Sequence, residues 1–269
     1  MLALFWRTIK DRRFSIIAYC VAGILLLWLY IALFPAIRDQ AQQLSELFKA
    51  YPESFMKAFK IEPSQLIFTK LENFLATEQF SIVWPIMLFA MFIAWGGSAI
   101  AGEIENDTIE LLLAQPISRI KIFFSKYLSG IAALVFFVAV TIFATIPLAA
   151  VYNIDFQLSH YFILAIAGLL IGLTVFSISI FFSSLFSEKG RVYFISVGIV
   201  VLMYVLNIMS SLKDSLSDLK YFSFFYYFDP MKALVDGKID NLSFVIFLGL
   251  TAIFTILAVI LFSKRDISV

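Results

Sequence analysis

The chain has 269 residues, of which 62% are hydrophobic and 14% charged, and its 20 Lys and Arg against 19 Asp and Glu leave a net charge of +1. That composition lies far outside the soluble range and assigns the chain to a bilayer, while the balanced charge supplies no basic field for nucleic acid. The single cysteine, Cys20, excludes an internal disulfide and a multi-cysteine metal centre.

The first residues carry Arg7, Lys10, Arg12 and Arg13 ahead of a long apolar run. That run exceeds a signal-peptide core and lacks a small-residue cleavage site, so it reads as a retained first span. A hydrocarbon core about 30 Å thick needs roughly 20 apolar residues in a helix. Six stretches meet this demand, at about 15–34, 80–101, 127–152, 161–186, 193–209 and 244–262. The alternation of a barrel strand is absent, and in lipid an unpaired backbone is too costly for any structure but helix. The expectation is an all-α polytopic membrane protein of six transmembrane helices, a single transmembrane domain over 1–269.

Orientation follows from Lys and Arg. With the N-terminus inside, the inner segments hold Arg7, Lys10, Arg12, Arg13, Arg119, Lys121, Lys126, Lys189, Arg191, Lys264 and Arg265, while the outer ones hold only one arginine, Arg38. Both termini are therefore expected in the cytoplasm. Two outer loops are long, at 35–79 and 210–243. In the first, Leu44, Leu47, Phe48, Tyr51, Phe55 and Phe59 recur at helical spacing, which predicts helices on the outer leaflet, divided at Pro52. The second holds an aromatic cluster, Tyr221, Phe222, Phe224, Phe225, Tyr226, Tyr227 and Phe228, suited to the headgroup layer.

Between the second and third spans, the inner loop 102–126 reads as a short helix, a break and a second helix start. Asp107 is expected to cap the first helix, with Glu110 reaching back to it. Pro116 ends that helix, and Ser118 is expected to cap the next. The helix is amphipathic and too short to span: Ile109, Leu112 and Leu113 fall on one side, and Glu103, Glu105, Asp107 and Glu110 gather at its beginning.

Elsewhere the absences are informative. No G-x-x-x-x-G-K-[ST] occurs, and no inner loop could hold a nucleotide-binding domain, so any ATP chemistry belongs to another polypeptide. The six stretches contain no Asp, Glu, Lys, Arg or His, which disfavours a carrier driven by protons or sodium. The lone histidine, His160, sits in a short outer loop beside Asp155, poorly placed for hydrolysis and with too few partners for a metal. Gly168 and Gly172 form a G-x-x-x-G expected to serve packing within the chain. Pro147 is expected to kink the third span.

The stretch Ala101-Gly-Glu-Ile-Glu-Asn-Asp-Thr-Ile-Glu-Leu-Leu-Leu-Ala-Gln-Pro-Ile-Ser-Arg119, followed by Lys126, resembles the coupling segment of ABC-2-type permeases, the membrane subunits of type-2 ATP-binding cassette exporters. The matching positions are Glu103, Thr108, Glu110, Leu111, Leu112, Leu113, Pro116, Ser118 and Arg119. The aromatic and basic start at Phe5, Trp6 and Arg7 and the ending Phe262-Ser-Lys-Arg-Asp-Ile267 agree with it. One departure is Asp107, where relatives commonly have Gly.

The resemblance implies a cytoplasmic coupling helix whose Glu103, Glu105, Asp107, Thr108, Glu110, Leu112, Leu113, Pro116 and Arg119 meet a separate nucleotide-binding ATPase subunit. It further implies an N-terminal interfacial elbow helix over residues 1–14, with Leu2, Phe5, Trp6 and Ile9 facing lipid. Two identical permease copies and two ATPase subunits would assemble in the cell membrane. ATP and Mg would bind the partner, with no cofactor on this chain. The function implied is export of an amphipathic or hydrophobic compound, a drug, lipid or peptide. A membrane scaffold that binds a soluble partner through the same loop is the alternative, and a small secondary carrier is the third reading.

Overall fold

The computed structural model describes residues 1–40 and 70–266. The helices expected in the first outer loop, over residues 44–59, lie outside the described residues, as does Ile267. Six helices among the described residues are long and apolar enough to cross a membrane: α1 (Leu2–Asp39), α2 (Leu71–Gly97), α5 (Arg119–Val151), α6 (Leu158–Leu185), α7 (Lys189–Leu212) and α10 (Asn241–Lys264). Short helices α3 (Ala101–Glu105) and α4 (Ile109–Leu113) connect α2 to α5. A 3₁₀ turn, Asp214–Phe222, with α8 (Phe224–Tyr227) and α9 (Pro230–Leu234), connects α7 to α10.

Each helix begins before the apolar stretch that announces it, and α2 also stops short of its stretch, at Gly97. In α1 the difference matters, because its 38 residues run without a break and reach about 57 Å, nearly twice the hydrocarbon thickness. The expected elbow over residues 1–14 is therefore not a separate helix but the first turns of α1. No Pro or Gly lies between Leu2 and Ser15 to end a helix there, Thr8 donates its hydroxyl back to Leu4 O (2.9 Å) as within a helix, and from Ile16 onward the buried positions Cys20, Gly23, Leu27, Ile31 and Phe34 keep one helical stripe. Leu2 and Trp6 are exposed as expected, whereas Phe5 is half-buried and Ile9 packs against the core.

In α2 the segment Ala76–Val83 is wound as π-helix, and Ser81 Oγ donates to Ala76 O at 2.6 Å. This helix starts at Leu71, so Glu72 and Glu78, expected in the outer loop, belong to its first turns. The central turns of all six helices remain free of Asp, Glu, Lys, Arg and His. In α5 the helix is interrupted at Ala144, three residues before Pro147, as the ring and missing N–H of a proline require.

Helix α6 is the enclosed centre, packed against α2, α5, α7, α9 and α10. Its G-x-x-x-G face is filled from within the chain. A Cβ on Gly168 would stand 2.6 Å from Trp84 of α2, and one on Gly172 would stand 2.7 Å from Leu134 of α5. Trp84 is itself fixed, donating from Nε1 to Thr141 Oγ1 at 2.8 Å. The buried hydroxyls of α6 also bond to neighbouring helices: Ser179 donates to Ile93 O (2.8 Å), Thr174 donates to Phe247 O (3.1 Å), and Ser177 lies 2.8 Å from Tyr127 Oη. Helices α7 and α10 present long exposed apolar faces, including Phe194, Val201 and Leu202 on one and Val245, Ile253 and Ile256 on the other.

The start of α1 and the end of α10 lie at one end of the bundle. Ser125 Oγ at the start of α5 donates to Met1 O (3.2 Å), and Arg119 reaches the carbonyls of Phe262 and Arg265 at the end of α10. At the opposite end His160 donates from Nδ1 to Leu234 O (2.7 Å), which gives it a structural role tying α6 to α9. His160 and Asp155 border a cavity of about 360 Å³ with Glu72 and Arg38. No group of three His, Cys, Asp or Glu suited to a metal occurs among the described residues.

Candidate functional site

The segment from Ser98 to Ser118 sits at the end that carries the start of α1 and the end of α10. Helix α2 stops at Gly97, and the chain turns through Ser98–Ile100 before α3 begins. Ser183 of α6 closes that break. Its Oγ donates to Gly97 O at 2.8 Å and accepts the N–H groups of Ile100 at 3.0 Å and Ala101 at 2.8 Å. One hydroxyl thus uses its donor and both lone pairs on backbone groups that a helix end leaves without partners.

Glu103 turns inward from α3. Its carboxylate meets Lys126 Nζ at 2.5 Å and accepts the Thr108 hydroxyl. Lys126 is 6% exposed and Glu103 26%. Burial pushes the Glu103 carboxyl up, but the Lys126 charge and the hydrogen bonds from Lys126 and Thr108 outweigh it and hold the group below its ordinary range. Glu105 faces the other inner connection, accepting Lys189 N–H at 2.8 Å and pairing with Lys189 Nζ at 3.3 Å. The backbone bond is the larger cause holding the Glu105 carboxyl low.

The expected cap does not form. Asp107 adopts φ 56°, in the left-handed region, and α4 starts one residue later with Thr108 as its N-cap and no side-chain cap bond. The reversal between α3 and α4 needs a left-handed residue, so Asp107 cannot take the extended conformation in which a cap residue bonds the first turn. Glu110 is consequently exposed, with no reach back to Asp107.

Within α4 the apolar side is as expected: Ile109 and Leu112 are buried and Leu113 packs against the core. The opposite side is open. Glu110, Ala114, Gln115 and Pro116 are exposed, and Leu111 is 70% exposed, a large apolar side chain beside charged residues. Ser118 caps α5 as expected, accepting Lys121 N–H at 3.4 Å. Arg119, expected to face a partner, instead donates to the carbonyls of Phe262 and Arg265. Arg265 continues the chain of contacts, donating to Ser184 O and Phe186 O, each at 3.0 Å, and to Ser187 Oγ at 2.6 Å.

The first turns of α1 lie along this segment. Leu4, Arg7, Thr8 and Asp11 border a cavity of about 70 Å³ shared with Glu103, Thr108, Leu111, Leu112 and Lys126. Arg12 binds the end of α2, donating to Ser98 Oγ and to Ala94 O (3.4 Å) with its guanidinium 5.1 Å from the Trp95 ring centre. The segment is therefore anchored to α1, α5, α6 and α7 on its inner side and bare on its outer side.

The family model for the ABC-2 family transporter protein matches residues 4–267, nearly the whole chain. The chain belongs to the ABC-2 transporter family. No curated protein matches it. As an ABC-2 permease it is a multi-pass membrane component of an ABC transporter, and the family is one of transport subunits, generally not catalytic, whose membership implies association with an ATPase subunit.

Sequence reasoning brings together Glu103, Glu105, Thr108 and Lys126, but it assigns the acids to an external contact, whereas Glu103 pairs within the chain. It misses Arg12 and Ser183. Arg12 is one of four basic residues with nothing local to single it out, and Ser183 is one of several hydroxyls in the spans. Only the third dimension shows which backbone break each one meets.

Proposed function

We propose that this ABC-2 permease forms the translocation path of an ATP-driven exporter for an amphipathic or hydrophobic compound, with both termini cytoplasmic in the cell membrane. Two copies of the chain pair, and each meets an ATPase subunit that binds ATP and Mg. The observation that carries this reading is the division of labour in the Ser98–Ser118 segment. Its outer ridge, Glu110, Leu111 and Pro116, is exposed, while Glu103 and Glu105 behind it are bonded to Lys126 and Lys189 of spanning helices.

A push on α4 has defined routes inward. Through Thr108 and Glu103 it reaches Lys126 and hence α5; through Glu105 it reaches Lys189 and α7; through Ser183 the break after α2 bears on α6. Because ionic and hydrogen bonds of this kind are short and directional, closure of the ATPase pair would shift these helices as a group and open the path outward. The uncharged central turns suit a substrate selected by apolar and aromatic contacts.

The test is coexpression of the permease with its ATPase subunit. Glu110→Arg reverses the charge on the bare ridge without touching an internal bond, and the expected result is at least a tenfold loss of complex and of substrate-stimulated ATP turnover. Unchanged complex and turnover would refute the coupling role. Complex formation with ATP turnover indifferent to every substrate would instead indicate a scaffold.

A further inference from the structure

At the end opposite the termini, Tyr221 and Tyr226 stand with ring centres 5.4 Å apart and planes at 79°. The ammonium of Lys220 lies over both rings, 5.1 Å from the centre of Tyr221 and 5.5 Å from that of Tyr226. Two faces at nearly a right angle make a corner in which one cation meets two quadrupoles at once. We propose that this corner is a binding seat for a quaternary ammonium group, with Lys220 as its resident stand-in.

The walls are fixed independently of the cation. Tyr227 donates its hydroxyl to Tyr221 O (3.0 Å), and Tyr226 N–H donates to Ser223 O (3.2 Å). Ser223, 1% exposed, donates to Met203 O of α7 (2.7 Å), and Ser243 of α10 donates to Tyr227 O (2.8 Å). The loop is thus tied to both helices that flank it, and a ligand need not order it.

Exchange of occupant follows from hydration. A lysine ammonium has three N–H donors that aromatic faces satisfy poorly, and it is strongly hydrated, whereas a quaternary ammonium has no donor to leave unmet. The flexible lysine stem lets Lys220 turn outward. Tyr221 is 49% exposed and Phe222 68%, so the corner opens beside an apolar surface near the ends of α7 and α10, and aromatic residues at span ends suit the headgroup layer. A choline headgroup would place its cation on the rings and its phosphate within reach of the displaced Lys220. A soluble quaternary cation would use the rings alone. This inference does not depend on the transport reading.

The test uses the full chain in nanodiscs containing equal phosphatidylcholine and phosphatidylethanolamine, two lipids of equal charge, with retained lipid counted by native mass spectrometry. Tetramethylammonium titration with sodium as control forms the second arm. The seat predicts roughly three- to fivefold retention of phosphatidylcholine over phosphatidylethanolamine, displaced by tetramethylammonium and not by sodium. Tyr221→Leu and Tyr226→Leu should bring the ratio to one, whereas Tyr221→Phe and Tyr226→Phe keep it, since the ring face is the ligand. Lys220→Gln should tighten tetramethylammonium. Tetramethylammonium binding without lipid preference assigns the seat to a soluble cation. A wild-type lipid ratio of one with no tetramethylammonium binding, or Leu variants indistinguishable from wild type, overturns the proposal.

Discussion

Ser183 is the residue on which most backbone depends. Its replacement by Ala would strand Gly97 O and the N–H groups of Ile100 and Ala101 in a buried place. A lost buried bond of this kind costs about 1–3 kcal/mol. The expected outcome for Ser183→Ala is a lower thermal midpoint in detergent and faster proteolysis within 98–106, with Ser183→Thr partly restoring both. Asp107 makes a contrasting case. At φ 56°, Asp107→Gly should be neutral or slightly stabilising, whereas Asp107→Val should cost about 1–2 kcal/mol, because a β-branched residue is strained there. Denaturant midpoints of the two variants against wild type check the sign. The glycine that relatives commonly carry at this position, known from the resemblance, finds its physical reason in that dihedral angle.

At the scale of elements, the six spans and the amphipathic α4 were legible because length and apolar periodicity are local properties. Ser118 and Pro116 were legible as helix punctuation for the same reason. The capping role of Asp107 was not, because the reversal between α3 and α4 demands a left-handed residue that propensity alone does not reveal. Nor was the continuity of α1. A basic segment beside an apolar one resembles a boundary, but no helix breaker separates them, and Arg12 is neutralised in cost by Ser98, Ala94 O and the Trp95 face, which no local pattern shows. The pairing of α2 with α6 gives a prediction of its own. Gly168→Val would drive a side chain into Trp84, which is fully buried and bonded to Thr141, so repacking is blocked. Overpacking of about 1–3 kcal/mol is expected, visible as reduced yield of folded protein by fluorescence-detected gel filtration, with Gly190→Ala, where the new Cβ meets nothing, as the silent control.

In the whole molecule, one end collects the start of α1, the end of α10, the two inner connections and the exposed ridge of α4. Charged contacts at that end join α3 to α5 and α7, and α5 to α10, so the short connecting helices are mechanically part of the bundle. The most direct measurement is labelling of Leu111→Cys by a membrane-impermeant maleimide; the native Cys20 is buried and contributes little background. A cytoplasmic ridge that docks the ATPase gives rapid labelling in inside-out vesicles, none in sealed right-side-out cells, and strong protection once the ATPase subunit is bound. Labelling from outside the cell, or a rate unaffected by the bound ATPase, would contradict it.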